Sequence, residues 1–220
     1  MKQVFHSFST GQTSLLHAPS PSVSPGQVLV KTSCSLLSSG TERMLIEFGK
    51  ANIVEKVRQQ PEKFYQALEK VRTDGAVATY HAIKSKLDQP VPLGYCNVGT
   101  IIKLGENVSG FSIGERVVCN GPHSEVVAIP HHLCAKIPDS VTDESAVFTI
   151  LASIALQGIR LANPTLGETF VVSGLGLIGL LACQLLVSNG CRVIGIDPDC
   201  KKCALLESLG ISSYNPGLGD

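Results

Sequence analysis

Residues 170–197 read FVVSGLGLIGLLACQLLVSNGCRVIGID, and they limit the folds open to the chain more than any other stretch. A β-branched run, Phe170-Val171-Val172-Ser173, breaks into Gly174-Leu175-Gly176-Leu177-Ile178-Gly179. An apolar, helix-forming segment follows to Val187, then Ser188-Asn189-Gly190 punctuates, and a second strand ends on Asp197. Strand, glycine turn, helix, strand and acid within one βαβ unit is the context that gives a GxGxxG pattern its meaning as a dinucleotide-binding fingerprint.

Each glycine has a physical task. Gly174 permits the tight turn out of the strand, Gly176 lets backbone approach a pyrophosphate, and Gly179 lets helix pack on strand. The helix then presents unpaired N–H groups and a positive dipole end to phosphate oxygens. Leu177 and Ile178 stand at its start and count with the glycines as candidate cofactor-binding positions. Asp197, at the tip of the second strand, is placed to accept both hydroxyls of an adenosine ribose and to repel a 2′-phosphate, which favours NAD(H) over NADP(H). Lys202, five residues on, is within reach of the same ribose or exposed on a helix. The uncharged run over 170–187 also has the length of a membrane span, but its three glycines, Ser173 and Gln184 argue against one.

A chain of 220 residues with 18 basic and 18 acidic side chains has ample core and no net charge, which removes the electrostatic case for nucleic acid or an anionic membrane. The N-terminal residues lack the continuous apolar core of a signal peptide. Eight cysteines without such a segment point to free thiols in a reducing, cytoplasmic setting.

In chain order, the first twenty-five residues read as polar and turn-rich, and Gln27 to Thr32 as a half-buried strand leading to a polar turn, Ser38-Ser39-Gly40-Thr41-Glu42. Residues 43–90 change texture. Ile46, Ile53, Val54 and Val57 fit one helix, Phe64, Leu68 and Val71 after Pro61 a second, and 77–87 a third. Nine of the 18 basic residues fall in this segment, as on a helical insertion with a solvated face or a docking surface. From Val91, short strands punctuated by Gly105, Gly110 and Gly114 indicate a compact β domain. Residues 142–161 read as one helix, 200–209 as another, and Ile211 to Tyr214 as a third strand of the parallel sheet. The expected organisation is a β-rich domain over 1–145, with the insertion at about 43–90, and the first half of a doubly wound sheet over 146–220.

Pro25-Gly26-Gln27-Val28-Leu29-Val30-Lys31, Pro92-Leu93-Gly94-Tyr95-Cys96-Asn97-Val98-Gly99, Gly110-Phe111, Gly114-Glu115-Arg116-Val117, Ile137-Pro138 and the βαβ unit together resemble the medium-chain dehydrogenase/reductase superfamily, the alcohol dehydrogenase relatives. The resemblance implies a GroES-like domain before a Rossmann NAD(P)-binding domain, here with only its opening half. Ser39-Gly40-Thr41-Glu42-Arg43-Met44-Leu45 and the helical segment after it are similar to bacterial bi-domain oxidoreductases. In that group a sugar-dehydrogenase-like domain follows, with an association with polysaccharide metabolism, so the chain resembles a truncated member.

Departures from the zinc-dependent pattern are informative. By family position Ser38 stands at a cysteine ligand, Tyr95 and Cys96 replace a His-Glu pair, and Thr149 falls in the third ligand region. Residues 119–125, CNGPHSE, leave no room for a four-cysteine zinc lobe. None of these makes a tetrahedral Cys/His site, and no zinc is expected. Cys200 and Cys203 have CxxC spacing without a second pair and read as structural, while the other cysteines, Cys119 and Cys134 among them, read as buried thiols.

Hydride transfer without a metal needs a hydrogen-bond donor at the developing alkoxide. Tyr95, Ser38 and Thr41 are the candidates, with Tyr95 either the proton donor or a filler of the emptied pocket, and Glu42 either orienting a donor or facing solvent. The sequence reading is a zinc-independent, NAD-preferring oxidoreductase acting on a sugar-type or other alcohol or carbonyl. Its alternatives are a quinone-reductase-like enzyme and an inactive NAD-binding scaffold. Expected partners are a small-molecule substrate and either a second copy or a docked sugar-dehydrogenase-like domain.

Overall fold

The computed structural model describes residues 1–50 and 89–218. The helices expected over 61–71 and 77–87, and most of the insertion, lie outside the described residues. The chain divides into two compact units, Met1–Ile137 and Pro138–Asp220.

The first unit is built on a five-stranded antiparallel sheet whose long strand, β3 (Gln27–Ser35), pairs with β5 (Asn97–Leu104) and β7 (Val126–Pro130). β6 (Arg116–Cys119) and β8 (Cys134–Lys136) extend it beyond β5. Val28, Val30, Ile101, Val117, Cys119, Val127 and Ile129 form its core. On β3 the alternation is plain, with Val28 and Val30 fully buried and Lys31 exposed. Each fully buried valine or isoleucine adds about 1.5–3 kcal/mol.

A second sheet was not legible. β1 (Lys2–His6) and β2 (Thr13–His17) form an antiparallel hairpin, with β4 (Val91–Pro92) on the other side of β1. The first residues are therefore not simply turns. All five residues of β2 are exposed, so no in-out alternation marked it, and backbone pairing from Lys2↔His17 to His6↔Thr13 defines the strand. The expected polar turn at Ser38 to Glu42 is also corrected, because α1 (Ser39–Lys50) already contains Thr41 and Glu42. The Glu42 carboxylate reaches back one turn to accept the Ser38 N–H at 2.9 Å, satisfying a donor at the helix start that would otherwise lack a partner.

The second unit has a three-stranded parallel sheet in the order β11 (Ser212–Tyr214), β10 (Arg192–Ile196), β9 (Thr169–Ser173). The single helix expected over 142–161 is two, α2 (Asp143–Ala146) and α3 (Thr149–Ala162). Thr142 caps the first by accepting the Ser145 N–H, and Asn163 ends the second in the left-handed region, φ 48°. α4 (Leu177–Ser188) packs on α3 and on both flanking strands, and α5 (Cys200–Ser208) packs on β10 and β11. Leu175, Cys183, Leu186, Cys191, Val193, Cys203, Leu206 and Ile211 form the core, which explains why this stretch is so rich in small apolar residues. No described helix is long and apolar enough to cross a membrane.

Candidate functional site

In the second unit the glycine turn is shaped by backbone needs. Gly174 sits at φ +91°, and a Cβ on Gly179 would fall 1.9 Å from the Gly174 carbonyl oxygen, so α4 lies directly against the turn. Gly176 caps α4 without a side chain, and neither it nor Gly174 has a heavy atom within 4 Å of where a Cβ would stand. The helix therefore starts with N–H groups that no side chain occupies, at Leu177 and Ile178, opposite open space. That cradle fits a pyrophosphate.

Asp197 closes the turn. It is 4% exposed; its Oδ2 accepts the Leu175 N–H at 2.8 Å and its Oδ1 accepts the Asp199 N–H at 2.9 Å. The Lys202 ammonium lies 3.3 Å from Oδ2. The Asp199 and Leu175 N–H groups, with Lys202 behind them, hold the carboxyl below the usual carboxylate range against the opposing effect of burial. Asp197 thus locks the turn to the tip of β10. The structure joins Asp197 to Lys202 and to the glycine turn, bringing the candidate cofactor positions into one locus.

In the first unit the candidate catalytic residues gather at the start of α1. The Tyr95 hydroxyl donates to Thr41 Oγ1 at 3.2 Å. Ser38 is buried, and its own N–H is taken by Glu42. Glu42 does not face solvent: it is 3% exposed, and both its oxygens lie 3.1–3.2 Å from His123 Nε2. The other ring nitrogen, Nδ1, is 2.8 Å from Ser35 Oγ. Gly94, at φ +91°, admits the ring, since a Cβ there would stand 2.6 Å from His123 Cγ and Cδ2. Burial, and then the Glu42 charge, push the neighbouring Cys96 thiol up to about 11, so it is protonated at neutral pH.

His123 and Ser35 are the residues that sequence reasoning missed. Their only signal was a histidine in the short CNGPHSE link, with nothing to say that it turns toward α1. The zinc question can be put to the side chains themselves. Among the described residues no group of three or more His, Cys, Asp or Glu side chains is arranged to hold a metal ion, so these described residues do not fit zinc. Thr149 lies on α3 of the second unit.

An antiparallel β domain followed by a parallel βαβ unit with a glycine turn defines a GroES-like domain joined to a Rossmann-like nucleotide fold. Residues 66–139 match the alcohol dehydrogenase GroES-like domain. The chain is 37% identical over 122 residues to the D-guloside 3-dehydrogenase of Escherichia coli K12, an alignment covering 54% of this chain and 35% of that protein. Among solved structures it resembles galactitol-1-phosphate dehydrogenase from Escherichia coli, with TM-score 0.74, 20% identity, and coverage of 100% of this chain and 62% of that one. It also resembles the short chain alcohol dehydrogenase rspB from Escherichia coli CFT073, solved with NADH, with TM-score 0.75, 21% identity, and coverage of 100% and 63%. The family match covers about a third of the chain, the structural likeness is one of fold, and the chain spans about a third of the curated relative's length.

Proposed function

We propose that the chain carries the cofactor turn and the substrate-side pocket of a zinc-independent oxidoreductase that moves hydride between NAD(H) and an alcohol or carbonyl carbon of a sugar-type substrate. The observation that carries this reading is the uncapped start of α4 beside the buried Asp197 carboxylate. Gly174, Gly176, Leu177, Ile178 and Gly179 would hold the pyrophosphate, and Asp197 with Lys202 the adenosine ribose. Bound there, the nicotinamide supplies the hydride acceptor or donor.

The chain's own contribution is polar. Tyr95 donates or accepts the proton that accompanies hydride movement, Thr41 orients its hydroxyl, and Ser38 anchors the start of α1. The Glu42–His123 pair fixes that helix start against the loop after β6. A glycoside-oxidising relative supports a sugar-type substrate, and Ser38 and Tyr95 at positions where zinc ligands were expected support metal independence.

Calorimetric titration of the chain with NADH and NADPH is the direct test. NADH should bind about ten- to a hundredfold more tightly than Asp197→Ala allows, the worth of one hydrogen bond to a charged group. NADPH should bind more weakly than NADH. Binding of neither nucleotide would overturn the enzyme reading in favour of a scaffold.

A further inference from the structure

The antiparallel register sets Cys119 on β6 directly opposite Cys134 on β8. The pair's type follows from its neighbours. Ile137 N donates to Arg116 O, and Asn120 N donates to Leu133 O, so the hydrogen-bonded pairs are every second one and Cys119 with Cys134 falls between them. In such a non-hydrogen-bonded pair the Cα atoms are about 4.5 Å apart, within the range a disulfide spans. The Cys134 thiol beside it, and then burial, push the Cys119 thiol up, while Cys119 holds Cys134 below the ordinary thiol range. Cys119 is fully buried, whereas Cys134 is only partly so.

We propose that Cys119 and Cys134 are a peroxide-oxidisable pair that closes a reversible cross-strand disulfide. The Cys134 thiolate attacks one peroxide oxygen, the O–O bond breaks, and the released hydroxide takes a proton to become water, leaving Cys134 as the sulfenic acid. The Cys119 sulfur then attacks the Cys134 sulfur, the S–O bond breaks, and the hydroxyl leaves as water with the Cys119 proton. Two thiols lose two electrons and two protons, and one peroxide becomes two waters.

The bond has a route to the segment that carries His123. The Cys119 thiol donates to Asn97 Oδ1 at 3.9 Å, and Asn97 Nδ2 holds the Pro122 carbonyl at 3.1 Å, next to His123. Disulfide formation removes the first of these bonds and ties both ends of the segment that carries His123.

The test is thiol mapping on the full chain. After exposure to hydrogen peroxide, remaining thiols are blocked with N-ethylmaleimide under denaturing conditions and the chain is digested without reductant. The expected result is a peptide joined through Cys119 and Cys134, lost on dithiothreitol treatment, while Cys96 and Cys183 carry the maleimide. Full maleimide labelling of both Cys119 and Cys134 at a dose that oxidises the exposed Cys200 would overturn the proposal, as would a bond from Cys134 to any other cysteine. Cys119→Ser provides a second reading: dimedone should then label Cys134. Because the mapping is done on the unaltered chain, poor folding of that variant leaves the decision intact.

Discussion

Two buried carboxylates, one in each unit, are held in contrasting ways. Asp197 is fixed by N–H groups of its own βαβ unit and by a lysine five residues away. Glu42 takes one N–H from the start of its own helix and otherwise depends on His123, which is 81 residues distant in sequence. Asp197 is a local device, complete once its strand, turn and helix form. Glu42 works only when α1, the loop after β6 and the glycine at 94 have been assembled. The first should therefore be robust, and the second a point where the first unit is most easily broken.

The largest effect is expected at Glu42. Glu42→Ala leaves the Ser38 N–H and His123 Nε2 without their acceptor in a buried place, at a cost of about 3 kcal/mol. Denaturant unfolding followed by hydrogen exchange should show the loss in residues 1–137. A double-mutant cycle with His123→Ala should return a coupling of about 1–2 kcal/mol. Additive single effects would mean that the pair is mere proximity, and the contrast with Asp197 would fail.

Next comes Gly179→Ala. Its Cβ would meet the Gly174 carbonyl, which is backbone and cannot rotate away, so α4 must lift from the turn. About 2 kcal/mol of stability should go, together with nucleotide binding, because both depend on the same close approach. If stability falls while NADH still binds unchanged, the turn is not the nucleotide cradle.

The turn was legible because all of its requirements are local. A positive φ at 174, a close approach at 179 and an acid at the strand end leave their residue types within one 28-residue stretch, and hydrophobic periodicity supplies the flanks. The first unit's cluster around the start of α1 resisted the same treatment. Family position brought Tyr95, Thr41 and Ser38 into one neighbourhood, but the partner of Glu42 comes from a loop that no periodicity marks. The β1–β2 hairpin escaped for a related reason, since its outer strand buries nothing and leaves no alternation. Cys119 and Cys134 each looked like an isolated thiol in an apolar run; only the strand register makes them a pair.

A smaller effect reads Asp197 by pH. Asp197 has a folded pKa held below its unfolded value of about 3.9, so its stabilisation is full above that value and is lost as pH falls through the folded one. Hydrogen exchange over residues 170–214 should stay protected through pH 4 and open below it. Asp197→Asn should remove that acid limb. An unchanged acid profile in the variant would assign the opening to other groups.

Tyr95→Phe is expected to disturb the fold least. The hydroxyl's bond to Thr41 is exposed at 3.2 Å, and its removal should cost about 0.5 kcal/mol, because water replaces the lost partner. Turnover responds to a different quantity. If the phenol carries the proton that accompanies hydride transfer, kcat should fall by about 10²–10⁴ while NADH affinity stays the same, since Asp197 and the glycine turn are untouched. If Tyr95 only fills the pocket, phenylalanine fills it as well and the rate survives. A small stability change beside a large loss of kcat therefore makes Tyr95 a chemical group of the reaction; an unchanged kcat reduces it to packing.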